Sequence, residues 1–189
     1  MTSHPDRIPI PDSSELRADV AELLPFIGRD GREPPRTMAI LARQPDFLAP
    51  FLGWAAALAL SGTLSARDHE LLALRASWNC RSEFEWAEHV GYARTAGLTD
   101  LEIGAVAGDI AAGEWTDAEA ALLRAADELH RDQDISATVW ARLADAFDEA
   151  QLVEILFVVG QYTMLSMVAN AAGIDTPPGL PESPSSPAT

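Results

Sequence analysis

The residue types best suited to acid and base chemistry lie close together between Arg67 and Leu98. This stretch contains Glu70, Glu85 and His89, together with Cys80, the one cysteine of the chain. Glu85 and His89 are four residues apart in a segment without helix breakers, so on a helix their side chains meet on one face. A carboxylate beside an imidazole is a common basis for proton transfer.

The helix face that carries Glu85 and His89 is otherwise apolar, because it also holds Trp86 and Ala93, so we expect the pair to point inward. Glu70 lies on the inward stripe of the preceding helix. A carboxylate that accepts from one imidazole nitrogen fixes the tautomer and raises the basicity of the other nitrogen. We therefore predict a catalytic set in which His89 moves a proton, Glu85 orients His89 and Glu70 completes the relay.

Two other interpretations fit the same residues. His89 can be a core histidine that one carboxylate ties down, without any reaction. Alternatively, Glu70, Glu85 and His89 can hold a divalent metal ion, because two carboxylates and an imidazole are ordinary ligands that leave positions open. We expect no metal, since no fourth ligand is evident: His69 should point away from Glu70, and His130 lies in another element.

Several further residues are candidates to line a substrate pocket. Cys80 precedes the second helix, where a thiolate would be stabilised, although a lone cysteine is more often simply buried. Trp86 can exclude water from Glu85 or can merely pack. Asp127 and His130, three residues apart, are expected to pair with each other on the surface or at an interface. The predicted substrate-binding residues are Cys80, Ser82, Trp86, Gln161 and Tyr162.

The run HELLALRASWNCRSEFEWAEHVGYARTAGL, with the later TDLEI, ALLRAADELH and VVGQYTMLSMVANAAGI, resembles the carboxymuconolactone decarboxylase family of the alkylhydroperoxidase D-like superfamily. The resemblance covers roughly residues 40 to 175. Thiol peroxidases of that superfamily carry a Glu, a Cys-x-x-Cys pair and a His four residues after the second Cys. Alignment on His89 places Glu70 on the Glu and puts Ser82 and Glu85 on the two cysteines. An intramolecular dithiol cycle is therefore excluded, and the chain resembles the branch that lacks both thiols.

The resemblance implies an all-α fold, a helical bundle of the alkylhydroperoxidase D-like type. It also implies a homo-oligomer, with a trimer or hexamer favoured and a dimer possible. The implied activity is that of a lyase of the carboxymuconolactone decarboxylase type, which uses no cofactor and acts on a small organic acid, lactone or related carbonyl compound. A non-catalytic oligomeric module that kept the fold, or a metal-dependent enzyme, is the alternative, and a dithiol peroxidase is disfavoured.

The composition of the chain limits the classes of partner that it can bind. The chain has 189 residues and a formal net charge of -16, with all 13 of its basic residues being arginine. Such an acidic chain is unsuited to nucleic acid or an anionic membrane, so we expect a small-molecule substrate. The single cysteine fits a reducing compartment, so we expect a cytoplasmic protein. The apolar run near Trp54 to Leu60 is too short to span a membrane.

The organisation along the chain follows from caps and breakers. Residues 1–13 hold three prolines and predict an extended arm, residues 14–175 a single all-α domain, and residues 176–189 a flexible tail rich in Pro and Ser. Hydroxyl and carboxylate residues three apart predict helix starts. These pairs are Ser65 with Asp68, Thr99 with Glu102, and Thr116 with Glu119. The matching helix ends at Gly97 and Gly173 suggest a weak internal repeat, with Gln161 in the place of Glu85 and Leu165 in that of His89.

Overall fold

The computed structural model describes residues 7–21, 34–176, 179, 181, 183 and 184, and these residues form helices without a β-strand among them. The all-α prediction is therefore confirmed. The α-helices are α1 (Arg36–Leu41), α2 (Pro45–Leu60), α3 (Ala66–Asn79), α4 (Glu83–Thr95), α5 (Asp100–Val106), α6 (Asp117–Asp132), α7 (Ala137–Ala146) and α8 (Glu149–Ala172). Short 3-10 helices occur at Ser13–Glu15 and Ile110–Ala112.

The predicted caps start the helices. Thr99 with Glu102 and Thr116 with Glu119 form full capping boxes, in which side chain and backbone satisfy each other in both directions. Ser65 accepts from the Asp68 amide, and its hydroxyl donates to the Asp68 carboxylate. Each of these caps satisfies a backbone amide that the first helical turn leaves without a partner.

The absence of helix breakers before Ala87 predicts that α4 starts at about Arg81, but the helix begins at Glu83. Arg81 has φ of 54° and so leaves the helical conformation, and Ser82 becomes the N-cap that accepts from the Glu85 amide. A serine at this position competes with the helix by bonding its own backbone neighbours, which fixes the start at Glu83. Near the N-terminus, residues 18–21 are helical after the 3-10 helix at Ser13–Glu15, and residues 22–33 lie outside the described residues.

Two helices end in the same way, at the predicted glycines. Gly97 has φ of 91° and Gly173 has φ of 77°, values that a side chain disfavours. In each case the next amide reaches back five residues, from Leu98 to the Ala93 carbonyl at 3.0 Å and from Ile174 to the Ala169 carbonyl at 2.9 Å. Both ends are Schellman motifs. The internal repeat itself stays a prediction.

The chain divides into two compact units, residues 1–61 with 168–175, and residues 62–167 with 176–189. In the first unit, Val20, Ala42 and Leu48 form a small buried core. The amides of Arg7 and Ile8, in the described part of the predicted arm, donate to the Ala172 carbonyl. The single domain over residues 14–175 and the flexible tail stay predictions, and most of the tail lies outside the described residues.

The second unit holds the larger core and the candidate site. Its core is built from α3, α4, α5 and α6 around fully buried side chains. These include Leu71, Leu74, Trp86, Val90, Val106 and Leu123. Arg67 on α3 binds the carboxylates of Glu102 and Glu119, so one guanidinium joins the capping residues of α5 and α6. The pKa of Glu102 falls to about 2 because of that bond and the bonds to Thr99.

Helix α8 is the one described helix that is long and apolar enough to cross a membrane by length and composition. The apolar run of residues 54–60 is therefore not the segment that decides whether the chain can span a bilayer. A core helix of a globular protein meets the same criterion, and α8 buries Gln161, Tyr162 and Ser166. That the protein has no membrane partner stays a prediction.

Candidate functional site

A buried hydrogen bond joins α3 to α4 at the centre of the second unit. Nδ1 of His89 lies 2.8 Å from Oε2 of Glu70, and both side chains are about nine-tenths buried, at 9% and 12% exposed. Helix α3 places Glu70 inward because its neighbours Leu71 and Leu74 belong to the core. The pair is thus a buried polar contact between two helices of the core.

Glu70 makes the hydrogen bond that we expected from Glu85. With Nδ1 bound to a carboxylate, the ring orientation and the tautomer of His89 are fixed, and Nε2 is the nitrogen left for a substrate. Burial alone would lower the pKa of His89, but the charge of Glu70 and its hydrogen bond, with the charges of Glu85 and Glu88, outweigh burial and raise that pKa. The pair therefore favours a basic imidazole.

Glu85 is buried to 3% exposure, one turn before His89 on α4. Burial raises the pKa of its carboxyl group to about 7, although the nearby His89 opposes the shift. A carboxyl group with this pKa exchanges its proton near neutral pH, as acid and base catalysis requires. The two glutamates thus differ in role: Glu70 holds the imidazole, and Glu85 acts on it through charge.

His69 points in a different direction from Glu70 and was not among the predicted site residues, but it bonds a residue that contacts His89. Its Nε2 lies 2.8 Å from the hydroxyl oxygen of Tyr162 on α8, and both residues are buried. Burial lowers the pKa of His69, so this ring is held neutral. Adjacent helical positions differ by about 100° in direction, so His69 and Glu70 reach different helices. In α3 the two directions each meet a neighbouring helix, so neither faces solvent.

Both tyrosines of the chain contact the His89 ring. The ring centroids of Tyr162 and His89 are 4.3 Å apart in an edge-to-face arrangement, and those of Tyr92 and His89 are 5.5 Å apart. Tyr162 was predicted from the sequence, whereas Tyr92 was missed. The signal was present, since Tyr92 follows His89 by three residues on the same helix.

The other predicted pocket residues are spread over different environments. Trp86 is fully buried in the core and packs against Trp78, with ring centroids 6.0 Å apart. Ser82 is the N-cap of α4. Gln161 is buried beside Tyr162 on α8. The structure therefore brings Glu70, His89 and Tyr162 together, whereas Ser82 and Trp86 have roles in capping and packing.

Cys80 follows α3 as its C-cap and is half-buried. Burial raises the pKa of its thiol, so the expected thiolate stabilisation is absent. Its Sγ lies 3.7 Å from Nδ1 of His130. This thiol is thus held in its less nucleophilic, protonated form.

Asp127 pairs with Arg75 rather than with His130. The Arg75 guanidinium binds both Asp127 oxygens, at 2.6 and 2.7 Å, and also donates to the carbonyls of Val106 and Gly108. An i, i+3 pair on α6 was predicted, but a buried arginine on α3 needs a carboxylate and takes Asp127. Arg75 is consequently not available to bind a substrate carboxylate.

Within the described ranges, His, Cys, Asp and Glu side chains form no group of three with the geometry to hold a metal ion. Glu70, Glu85 and His89 are thus arranged as a hydrogen-bonded and charge-coupled set rather than around a common centre. An imidazole with a fixed tautomer beside two carboxyl groups is an arrangement suited to proton transfer.

Comparison with known proteins agrees with the architecture. Residues 45–128, which include Glu70, Glu85 and His89, match the model of the carboxymuconolactone decarboxylase family, so the family resemblance of the sequence is confirmed. No curated protein sequence matches the chain significantly.

Solved structures share the fold. An uncharacterized peroxidase-related protein with an alkylhydroperoxidase AhpD core from Ralstonia eutropha JMP134 superposes with a TM-score of 0.78 at 19% identity, over 93% of this chain and 94% of that chain. An uncharacterized peroxidase-related protein from Silicibacter sp. TM1040 superposes with a TM-score of 0.80 at 16% identity, over 95% of each chain. The debrominase Bmp8, in complex with 2,3,4-tribromopyrrole, superposes with a TM-score of 0.74 at 17% identity, over 86% of this chain and 89% of that chain. At these identities the likeness establishes the alkylhydroperoxidase D-like fold.

Proposed function

We propose that the chain is a cofactor-free enzyme of the carboxymuconolactone decarboxylase type, which moves a proton to or from carbon in a small organic acid, lactone or related carbonyl compound. The observation that carries this proposal is the buried hydrogen bond of 2.8 Å between Nδ1 of His89 and Oε2 of Glu70. A histidine used only for packing needs no carboxylate. A histidine that must gain a proton at Nε2 is aided by a carboxylate at Nδ1, because that carboxylate raises the basicity of Nε2.

His89 acts as the base in this proposal, with Glu70 as the residue that orients it. Neutral His89 donates from Nδ1 to Glu70 and accepts the substrate proton at Nε2. The raised pKa of His89 supports this direction of transfer. Glu85, whose carboxyl pKa is about 7, supplies or removes charge beside the imidazole as the pH crosses neutrality.

Decarboxylation followed by protonation of the resulting dienolate is the most specific form of the proposal. It requires recognition of a substrate carboxylate, and Arg75 is committed to Asp127. Proton transfer next to a carbonyl group needs no such cation. We therefore place lactones and carbonyl compounds ahead of free dicarboxylic acids as substrates.

Hydrogen exchange at carbon tests the proposal on a range of compounds at once. The protein is incubated in deuterium oxide with a panel of lactones, keto acids and ketones, and with small pyrroles because the related fold of Bmp8 binds one. Proton NMR then measures the deuterium that enters at carbon. We expect exchange with at least one compound, and a fall on the order of 100-fold in the His89→Gln variant. The matched control, His130→Gln, should exchange at the wild-type rate.

Two outcomes of this experiment would count against the proposal. Unchanged exchange in His89→Gln removes the histidine from the chemistry and contradicts the proposal. A wild-type protein that exchanges none of the panel favours the alternative, a non-catalytic oligomeric module.

We also propose that the protein is a homo-oligomer and that α8 contributes to the contact between copies. Part of α8 exposes a stripe of apolar side chains at helical spacing. The stripe residues are Val153, Leu156, Phe157, Met164 and Met167, between 38% and 60% exposed. No charged residue lies between Ile155 and Ala172, so two copies of a chain with net charge -16 can approach there without direct repulsion.

A further inference from the structure

Two hydrogen-bonded pairs start from adjacent residues of α3. Glu70 reaches His89 on α4, and His69 reaches Tyr162 on α8. The pairs touch each other, because the Tyr162 ring lies edge-to-face against both imidazoles, at centroid distances of 4.3 Å to His89 and 5.5 Å to His69. The proton transfer proposed above uses only the first pair. The second pair has no assigned role.

Packing alone does not account for the second pair. A buried tyrosine hydroxyl needs a hydrogen-bond partner, but a backbone carbonyl serves that purpose in most proteins. Here the partner is a second histidine, buried at a cost in desolvation and placed next in sequence to Glu70. Because the His69 ring is neutral, it carries one N–H. The position of that proton decides the direction of the bond to Tyr162.

We infer that Tyr162 is the hydrogen-bond donor to the substrate's carbonyl oxygen, and that His69 is the positioning residue that directs the Tyr162 hydroxyl. This inference rests on the proposed function. His69 carries its proton on Nε2 and donates it to the Tyr162 oxygen. The hydroxyl proton of Tyr162 is then aimed away from His69, at the molecule that His89 deprotonates.

The reaction step balances without a further reagent. Nε2 of His89 takes the proton from the carbon beside the carbonyl group, and the electron pair of that C–H bond forms the C=C bond of an enolate. The carbonyl oxygen gains negative charge, which the Tyr162 O–H stabilises by a hydrogen bond. Return of the proton from His89 reverses the step. Such a donor in a site shielded from water gives substantial transition-state stabilisation.

Exchange kinetics test the inference with matched variants. Tyr162→Phe removes the proposed donor, while Thr95→Val removes a hydroxyl group from an exposed residue at the end of α4. We expect the kcat of exchange to fall on the order of 100-fold in Tyr162→Phe with little change in KM, and to stay at the wild-type value in Thr95→Val. Equal rates in Tyr162→Phe and wild type would overturn the inference. It would leave the proposed function standing if His89→Gln is inactive.

The role of His69 has its own comparison. His69→Leu removes the ring nitrogen, whereas the side-chain amide of His69→Gln can still donate to Tyr162. We expect His69→Leu to lower kcat and His69→Gln to recover most of the loss, with circular dichroism showing the same helix content in both. A loss of kcat of the same size in His69→Gln and His69→Leu would contradict the positioning role.

A spectroscopic measurement decides the point without any substrate. In a variant with His4 and His130 changed to Gln, the imidazole nitrogens of His69 and His89 are the ones left to assign by 15N NMR. We expect the proton of His69 on Nε2. A proton on Nδ1 would make Tyr162 the donor to His69. It would then have no proton to offer a substrate, and the inference would be wrong.

Discussion

His89 is held by Glu70 and not by Glu85, although Glu85 lies one turn away on the same helix. The Nδ1 to Oε2 distance of 2.8 Å crosses from α4 to α3. Glu70 accepts this hydrogen bond from a neighbouring helix, whereas Glu85 acts on His89 through its charge. The site therefore contains two carboxyl groups in different states of solvation beside one imidazole.

Glu70→Gln should destabilise the fold more at low pH than at high pH. The folded-state pKa of His89 is raised, so the stabilisation is complete below the ordinary value of 6.5 and is lost as the pH rises through the folded-state value. We expect a loss of about 1–3 kcal/mol in the free energy of unfolding at pH 5.5 and a smaller loss at pH 9. Urea unfolding at the two pH values measures the difference.

Glu114→Gln is the control for that experiment, because it removes the same charge from an exposed residue. Its unfolding free energy should stay within about 0.5 kcal/mol of wild type at both pH values. A Glu70→Gln deficit that is equal at pH 5.5 and pH 9 would show that the charge of Glu70 does not act on His89.

Glu85→Gln should have the opposite effect on stability. The carboxyl pKa of Glu85 is about 7 in the folded protein against an ordinary 4.5, so between these values the folded state binds more protons than the unfolded state. The free energy of unfolding of the wild type should therefore fall as the pH rises through this window, whereas that of Glu85→Gln should not. We expect Glu85→Gln to be about 2–3 kcal/mol more stable than wild type at pH 8 and nearly equal at pH 4.5. Parallel stability curves for the two proteins would disprove the burial of an ionisable Glu85.

Helix starts and ends were predictable from the sequence because their causes are local. Thr99, Thr116, Gly97 and Gly173 act on backbone groups within a few residues, and the structure has each of them in the predicted role. The polar residues of the candidate site could also be selected, since a polar group such as Glu70 on an apolar helix face stands out.

The pairing of those polar residues was not predictable, because it depends on how helices pack. The hydrogen bond of His69 was not predicted, since its partner Tyr162 is 93 residues away, and Asp127 was misassigned, since its partner Arg75 is 52 residues away. Spacing within one helix favoured the pairs of Glu85 with His89 and of Asp127 with His130. In the structure, His89 bonds Glu70 and Asp127 bonds Arg75, and each of these partners lies on a different helix.

Arg75→Lys should be a costly substitution, although it keeps the charge. Lysine cannot bind both Asp127 oxygens and also the carbonyls of Val106 and Gly108, so buried acceptors lose their partner. We expect a loss of about 2–4 kcal/mol in the free energy of unfolding. Arg94→Lys, in the exposed pair with Asp100, should cost under about 0.5 kcal/mol. A similar denaturation midpoint for the two variants would refute the structural role of Arg75.

Phe157→Asp tests whether α8 forms the contact between copies. Phe157 is 52% exposed in the middle of the apolar stripe, and an aspartate there would have to be buried unpaired in a homo-oligomer. We expect the wild-type protein to elute as an oligomer and Phe157→Asp as a monomer, with molar mass measured by light scattering. Leu101→Asp adds the same charge at an apolar residue that is 87% exposed outside the stripe, and it should leave the mass unchanged. The exchange assay can also be run on the monomeric variant, which shows whether one copy suffices for proton transfer. A wild-type monomer, or an oligomer that persists in Phe157→Asp, would remove α8 from the interface.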